Sequence, residues 1–441
     1  MMVPSASSRR IPPTLVFSAL ILCVLILTSQ VSAQLVNGRF ITSAYVWEKF
    51  DTPTSSKTLV RGFQSVLFDV AQGSFSLHTN VQAASLLQDG IGRDKNYYLF
   101  NAYGKVSDIG GLLDFAFGRI PYYAGVGNGT VDGALSTLRL FDKTVRVTAY
   151  GGANVPLDLA IDRWGPLKNN FTLGGQIVTT AFPDLRLGLS YVSRQRSRPG
   201  YVAIRPDSLF NPVSQFIDLD PLKEQLLSGD AAYWASQLYF YARYDYNLKV
   251  KKTQRGQAGL RYYTSKRLSI SADFIHRAPR VLYNSYFTVF NASEVDEIEA
   301  GVDYLVTPAV RLFARGGYVE YIDDRSFRYT AGIVHQDVSL TYRGGSGYAG
   351  EQNSASVQAT YPLFDYLLMP TVGASYTSYK LSDSTKREDA FSGVLGAIIR
   401  PLQTLSVDLQ GQWVTNRIYK RDVRLFAKLN FWFTQRLNIF E

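Results

Sequence analysis

A period of two in hydrophobicity is the feature of this sequence that most constrains its fold. The stretch LSVDLQGQW (405–413) alternates apolar or small residues with polar ones throughout. Successive side chains of a strand point to opposite faces, so this stretch predicts a strand with one apolar and one polar face. The same pattern, in segments of the ~9–11 residues that a transmembrane strand needs, recurs at 75–82, 145–150, 185–191, 237–244, 268–274, 310–315 and 423–433.

The connections between the alternating segments also follow a pattern in the second half of the chain. Short ones at 264–267, 307–308, 335–337, 361–366 and 400–404 alternate with longer polar ones at 278–295, 321–327, 344–353, 379–389 and 415–420. Barrels in membranes have short periplasmic turns and longer outer loops. From about residue 235 this rhythm predicts twelve strands. For the stretches 151–170 and 194–234 three interpretations stay open: a strand, a loop that plugs the barrel, or a helix. Residues 221–229 are a candidate short helix. The predicted total is about 18 strands, with 16 or 20 as alternatives.

The N-terminal 33 residues have the organisation of a secretory signal peptide. Arg9 and Arg10 precede the apolar run 14–27, and the small residues of 31–33 provide a cleavage site before Gln34. The run is shorter than the ~20 residues of a membrane-spanning helix, although an uncleaved anchor is the alternative. Cleavage after Ala33 would remove Cys23, the single cysteine. We therefore expect one domain, 34–441, that is exported and has no disulfide.

Composition and order exclude several other classes of protein. Mean hydropathy is −0.06, too low for a bundle of membrane helices, whereas 14% aromatic residues suit strands. A β-propeller would show a repeat of ~40–50 residues, and a row of β-sandwiches would show domain breaks; the sequence has neither. The net charge is +10, but acidic and basic residues are interleaved, so we expect no nucleic-acid partner.

These features together resemble the Gram-negative outer-membrane β-barrels of the porin-like kind, over essentially all of 34–441. The stretch LLDFAFGRIPYYAGVGNGTVDGA (112–134) is similar to porin-like barrels in which a strand ending in Gly-Arg leads into a loop with Asp-Gly. The segment RLFAKLNFWF (424–433) resembles the C-terminal signal that the barrel-assembly machinery recognises. That signal normally ends on an aromatic residue, whereas this sequence ends in Phe440-Glu441. The resemblance implies an all-β, antiparallel, up-and-down transmembrane barrel in the outer membrane, surrounded by its lipids.

The polar strand faces would line the lumen of such a barrel. Rings of charge set ion preference in pores, and bases slightly outnumber acids here, so we predict weak anion preference. The alternative is that the charges pair across the lumen and plug it, which would suit a structural, adhesive or export role. The predicted pore-lining residues are Arg146, Arg186, Arg243, Arg261, Asp273, Asp303, Arg311, Arg315, Asp408, Arg424 and Lys428.

The segment 122–133 contains four glycines and one acid, and two interpretations of it stay open. Glycine permits tight chain reversal. In the first interpretation Gly125, Gly127, Gly129 and Asp132 belong to a constriction loop inside the barrel, where Asp132 hydrogen-bonds or faces solutes. In the second the segment is a flexible outer loop.

Catalysis and metal binding have weak support in the sequence. Ser76, His78 and Asn80 share one strand face, but residues i and i+2 lie ~6–7 Å apart along the backbone, so polar lining of the lumen is favoured over a catalytic group. His276 and His335 have no paired His or Cys, and the acids of 294–299 suit a solvated rim. We predict a channel for passive diffusion of small hydrophilic solutes, with no enzymatic activity, no metal and no cofactor; homo-oligomers are possible.

Overall fold

The structure is a computed structural model that describes residues 34–52, 55–87, 95–161, 167–198, 200–206, 208–280, 294–322, 324–347, 350–382 and 384–437. The predicted signal peptide and Phe440 lie outside the described residues. Within the described ranges, no helix has the length and apolar character needed to cross a membrane.

All regular structure in these ranges is β-strand. The strands are β1 (Gln34–Thr52), β2 (Ser55–Gln72), β3 (Phe75–Leu86), β4 (Lys95–Ile109), β5 (Leu113–Ala124), β6 (Gly127–Leu140), β7 (Val145–Asn154), β8 (Phe171–Phe182), β9 (Leu185–Arg196), β10 (Tyr201–Pro206), β11 (Pro212–Ile217), β12 (Leu222–Trp234), β13 (Leu238–Asn247), β14 (Lys252–Tyr263), β15 (Leu268–Arg277), β16 (Val295–Thr307), β17 (Val310–Glu320), β18 (Arg325–His335), β19 (Val338–Gly347), β20 (Glu351–Thr360), β21 (Leu368–Lys380), β22 (Glu388–Leu402), β23 (Leu405–Thr415) and β24 (Asp422–Leu437).

Twenty-two of these strands form one closed antiparallel barrel, and β10 and β11 form a separate hairpin. Each barrel strand pairs with its neighbours in chain order, with β9 joined to β12. The barrel closes where β1 pairs with β24, from Gln34 opposite Leu437 to Val46 opposite Leu425. Closure gives every strand two partners, so no strand edge is left open, as a sheet in hydrocarbon requires.

The barrel has 22 strands, so the predicted number of about 18 is wrong. The twelve strands predicted after residue 235 are β13–β24, and the error lies wholly in the first half. There, β1 and β2 have 19 and 18 residues, about twice the length sought in the sequence. The helix considered for 221–229 is wrong, because 222–229 belong to strand β12, in which the Leu226–Leu227 doublet interrupts the alternation.

The barrel strands have two chemically different faces. In β23, Leu409 and Trp413 are about half-exposed on one face, and on the other Asp408 forms an ion pair with Lys428 of β24. In a membrane barrel the apolar face contacts lipid and the polar face lines the lumen. We call these the outer and the inner face. The assignment places Leu405, Val407 and Leu409 towards lipid, as LSVDLQGQW predicts.

The two ends of the barrel differ in the length of their connections. One end has turns such as 73–74, 183–184, 308–309, 336–337 and 403–404, and the ends of β1 and β24 lie beside them, with Leu35 paired with Ala71. The opposite end has longer connections, including 155–170, 197–221, 278–294, 381–387 and 416–421. By the usual asymmetry of membrane barrels the short-turn end is periplasmic.

Candidate functional site

A β-hairpin leaves the barrel wall between β5 and β6. Pairing of β5 with β4 stops at Arg119, and pairing of β6 with β7 starts at Val131. Residues 120–130 between these points have no partner in β4 or β7 and pair only within the hairpin, from Ile120 with Val131 to Ala124 with Gly127, around a turn at Gly125 and Val126. The glycine-rich segment predicted to be a loop is therefore an extension of two strands. We call residues 120–130 the inward hairpin.

The inward hairpin packs against the inner face of the wall. Its turn is held by a hydrogen bond that the Val126 N–H donates to Ser190 Oγ at 2.9 Å. The Tyr122 ring stacks on Tyr150 of β7 with centroids 4.2 Å apart. Ser190, which holds the turn, lies on the same face of β9 as the charged residue Arg186. The hairpin is therefore on the polar, lumenal side of the wall. A buried apolar cluster results, consisting of Tyr122, Ala124, Val126, Val131, Tyr150, Val192 and Leu226.

The close approach of hairpin and wall depends on glycine. Gly125 has φ +63°, and a Cβ there would overlap Ser190 Oγ. A Cβ on Gly127 would overlap the Tyr150 hydroxyl. Gly129 pairs with Tyr122 in the hairpin register. The three glycines named from the sequence are thus brought together in the hairpin, and their role in a constriction stays a prediction.

A buried ion pair fixes the point where the hairpin leaves the wall. Arg119 Nε and Nη2 bind the two carboxylate oxygens of Asp132 at 2.7 and 3.0 Å, and the side chains are 0% and 2% exposed. Arg119 Nη1 donates to the carbonyls of Leu99 in β4 and Ala160, at 3.1 and 3.3 Å. Ala160 bridges to Tyr98 of β4, where β5 has departed. Arg119 therefore joins three parts of the structure: the hairpin, β4, and the segment around Ala160 that pairs with β4 in place of β5.

Asp132 was predicted either to form hydrogen bonds or to face solutes in the lumen, and its position in the structure allows the first role. Its carboxylate is engaged by Arg119, and alternation puts it on the hairpin face opposite Val131 and the buried cluster. At 2% exposure it is not accessible to a solute in the lumen. Arg119, which the sequence showed only as part of a Gly-Arg pair, is the residue that anchors it.

A second polar network ties the hairpin to the loop end of the barrel. Arg194 Nη2 donates to Tyr122 Oη at 2.8 Å and to the Asn128 carbonyl at 2.7 Å. The carboxylate of Glu224, 2% exposed, lies 3.8 Å from Arg194 and accepts two hydrogen bonds from Arg280, one of them 2.8 Å long. These hydrogen bonds raise the pKa of Arg280, which lies beyond the end of β15. The network keeps two cations around one buried acid.

Most of the predicted pore-lining residues form ion pairs along the wall. The partners lie on the same strand, on adjacent strands or one strand apart, so the pairs run along the inner face and do not bridge the lumen. The pairs are Arg186 with Asp230, Arg243 with Asp245 (2.8 Å), Arg261 and Arg311 with Asp303 (3.9 and 3.7 Å), Arg315 with Glu299 (3.7 Å), Arg424 with Asp422 (2.7 Å) and Lys428 with Asp408 (2.8 Å).

Two of the predicted residues are placed differently. Asp273 accepts a hydrogen bond from the Tyr241 hydroxyl at 2.9 Å. Arg146 has no ion-pair partner in the part of the chain that the structure describes. No group of three or more His, Cys, Asp or Glu side chains suited to a metal occurs in that part either. Most of the predicted lining residues are therefore paired with an opposite charge, and the inward hairpin covers an apolar patch of the inner wall.

Comparison with known proteins adds little at the level of sequence. No family model matches the chain, and no curated protein matches it. Among solved structures, OccAB4 of Acinetobacter baumannii has TM-score 0.44 and 9% identity, with 92% of this chain and 99% of that chain covered. OpdQ of Pseudomonas aeruginosa has TM-score 0.41 and 8% identity, with 92% and 98% covered. The translocation pore of the P pilus usher PapC has TM-score 0.43 and 8% identity, with 90% and 99% covered.

Proposed function

We propose that this protein is an outer-membrane channel through which small hydrophilic solutes diffuse passively. The observation that carries the proposal is a closed barrel with an apolar outer face, a charged inner face and one hairpin packed along its inner wall. Diffusion through such a lumen needs no chemistry from the protein. The outer membrane is the bilayer in which barrels of this type occur.

The size of the barrel favours a pore over a plug. Strands ~4.8 Å apart and tilted ~40° give 22 strands a circumference of ~140 Å, or a diameter of about 45 Å for a round section. A hairpin packed on one wall takes ~10 Å, and the side chains facing each other across the rest fill ~10 Å. About 25 Å remains, far more than wall side chains can close.

A barrel of 22 strands is often closed by a separate plug domain. In the ranges described here, the only strands outside the barrel sheet are β10 and β11. The ion pairs of the inner face also run along the wall, whereas a charge plug requires pairs across the lumen. These two observations support the channel over the structural, adhesive or export alternative.

The weak anion preference predicted from the sequence gains support from how the charges share partners. Arg261 and Arg311 share Asp303, and Arg277 and Arg328 share Glu297. Arg146 and Asp273, a cation and an acid without an ion-pair partner among the described residues, offset each other, so the shared carboxylates provide the excess of positive charge. Each shared carboxylate leaves one positive charge uncompensated on the inner face, and such charges attract anions in a pore.

Current measurement in a planar bilayer tests the proposal. Purified, folded protein should give stepwise ion currents, and a salt gradient should give a reversal potential displaced towards that of the anion. A correctly folded barrel that inserts and stays electrically silent would refute the channel and favour the plugged alternative. A reversal potential on the cation side would refute the anion preference alone.

A further inference from the structure

Three side chains on the inner face of β2 and β3 form a hydrogen-bonded chain outside the site described above. His78 Nδ1 lies 2.6 Å from Asp69 Oδ1, and His78 Nε2 lies 2.9 Å from Ser76 Oγ. Asp69 and His78 face each other in the register of the two strands. The sequence placed Ser76 and His78 on one face, but it gave no reason to add Asp69, which belongs to the preceding strand.

The order of the three groups is the one that activates a serine. A carboxylate on Nδ1 stabilises the tautomer with the proton at Nδ1, which leaves the Nε2 lone pair free to accept from Ser76 Oγ–H. The Tyr103 ring stacks on the imidazole at 4.8 Å with 23° between the planes, which fixes the ring orientation. The spacing of i and i+2, an objection at the sequence level, is bridged because the imidazole leans along the strand to the observed 2.9 Å.

We propose that Ser76 is a nucleophilic serine, with His78 as its general base and Asp69 as the group that orients His78. The side chains of His78 and Asp69 are 29% and 49% exposed, so water and solutes in the lumen reach the group. It lies close to the 73–74 turn, at the short-turn mouth. Because the group lies open on a polar wall, its substrates are small hydrophilic carboxylic esters.

A cation stands where negative charge would develop. Lys105 lies opposite Ser76 in the register of β3 and β4, and side chains so paired have Cβ atoms ~4.5–5.5 Å apart. Its ammonium is 3.5 Å from Asp114 and its side chain is 36% exposed, which leaves room for a second anionic contact. We assign Lys105 the electrostatic stabilisation of the oxyanion that forms beside Ser76.

The reaction balances as ester hydrolysis. Ser76 Oγ attacks the ester carbonyl while its proton passes to His78 Nε2. The tetrahedral oxyanion then collapses, the C–O bond to the alcohol breaks, and the leaving alkoxide takes the proton from His78. A water molecule attacks the acyl-serine in the same way, releasing the acid and restoring Ser76. One ester and one water give one carboxylic acid and one alcohol, with no other reactant.

Labelling with a fluorophosphonate, which forms a covalent adduct with nucleophilic serines, tests this inference on the folded barrel in detergent. The adduct should be found on Ser76 by peptide mass spectrometry and should be absent in Ser76→Ala. His78→Gln should lower the labelling rate by about 10²–10⁴-fold, the usual contribution of a general base. The matched control is Ser65→Ala, since Ser65 lies on the inner face of β2 and accepts from Gln82, with no imidazole bonded to it; it should label like the wild type.

The outcomes separate an activated serine from a hydrogen-bonded patch of wall. Asp69→Asn should also lower the labelling rate and the hydrolysis of 4-nitrophenyl acetate, and it replaces His78→Gln as the decisive variant if the latter does not fold. Absence of an adduct on wild-type Ser76, or an adduct whose rate is unchanged in the folded His78 or Asp69 variant, would overturn the proposal. Labelling is independent of ion current, so its failure is distinct from failure of the proposed channel.

Discussion

Replacement of Arg119 by methionine should release the inward hairpin from the wall. The change removes both bonds to Asp132 and the donors to the carbonyls of Leu99 and Ala160. It leaves a carboxylate with 2% exposure without its counter-ion. Breaking a buried pair in this way costs ~3–5 kcal/mol. At about 1.4 kcal/mol for each factor of ten, the population with a released hairpin should rise by ~10² or more.

The assay is a double-mutant cycle combined with a direct measure of hairpin release. Arg119→Met, Asp132→Leu and the double variant are unfolded with denaturant in the same detergent, and free energies of unfolding are compared. The double variant should be more stable than Arg119→Met, because removing both charges leaves none buried alone. A cysteine pair at Val126 and Ser190 reports release, since the 2.9 Å hydrogen bond places the two residues within disulfide reach when the hairpin is docked.

The expected result is slower disulfide formation and larger single-channel conductance in the Arg119→Met background, with conductance returning to the wild-type value once the disulfide has formed. The control is Arg146→Met, an arginine of the inner face with no ion-pair partner among the described residues; its stability should change by no more than ~0.5 kcal/mol. A destabilisation by Arg119→Met below about 1 kcal/mol, or strict additivity in the cycle, would show that this pair does not hold the hairpin.

The remaining predictions concern the two faces of the wall and the docking site. Leu409→Arg should cost ~2–4 kcal/mol if residue 409 lies near the bilayer midplane, as measured by denaturant unfolding in lipid vesicles; a smaller cost than that of Asp408→Asn would reverse the assignment of faces. Asp408→Asn removes the partner of Lys428 at 2.8 Å, so it should change stability by about 1 kcal/mol or less and shift the reversal potential towards anions. Tyr150→Phe should leave stability equal or higher, because the buried hydroxyl has no hydrogen-bond partner in the described structure, and Gly127→Ala should destabilise less in that background than in the wild type. An equal cost of Gly127→Ala in both backgrounds would contradict the packing of Gly127 on the Tyr150 hydroxyl.

The sequence predicts β13–β24 well because most positions of those strands face either lipid or water. In β23, each outer position up to Trp413 is apolar or glycine and each inner one up to Gln412 is polar, so a period of two is all that the environment demands. The short and long connections then follow from the same asymmetry at the two ends. Val319, an inner residue of β17 that is 1% exposed, is an exception, but at most other positions of these strands the local pattern and the final environment agree.

The first half is harder to predict because its strands face a third environment besides lipid and water, namely the apolar surface of the inward hairpin. Val192 and Leu226 are apolar residues at inner-face positions, where the hairpin covers them to 0% and 2% exposure. Each one breaks the alternation of its strand, and Leu226 is the reason why 221–229 looks like a helix. The pairing of Arg119 with Asp132 could not be predicted from the sequence either. The two residues are 13 apart, and whether they lie opposite each other depends on the turn that joins their strands.

Apolar residues at inner positions, which break the alternation of a strand, therefore indicate where another element packs inside the barrel. In a strand exposed to water on its inner face, an apolar inner residue gains nothing, so Val192 and Leu226 opposite each other in one register indicate a covering element. The glycine-rich turn of the inward hairpin supplies a surface without side chains that can approach such a patch, and Tyr122 supplies the apolar area that covers it. A barrel sequence with apolar residues at paired inner positions, and a Gly-rich hairpin with an Arg and an Asp at its base, should accordingly dock that hairpin inside. Val192→Asp tests the argument here: it buries an unpaired carboxylate under the hairpin and should release it as fully as Arg119→Met does, with the same gain in conductance, and an unchanged conductance would show that the apolar patch does not hold the hairpin in place.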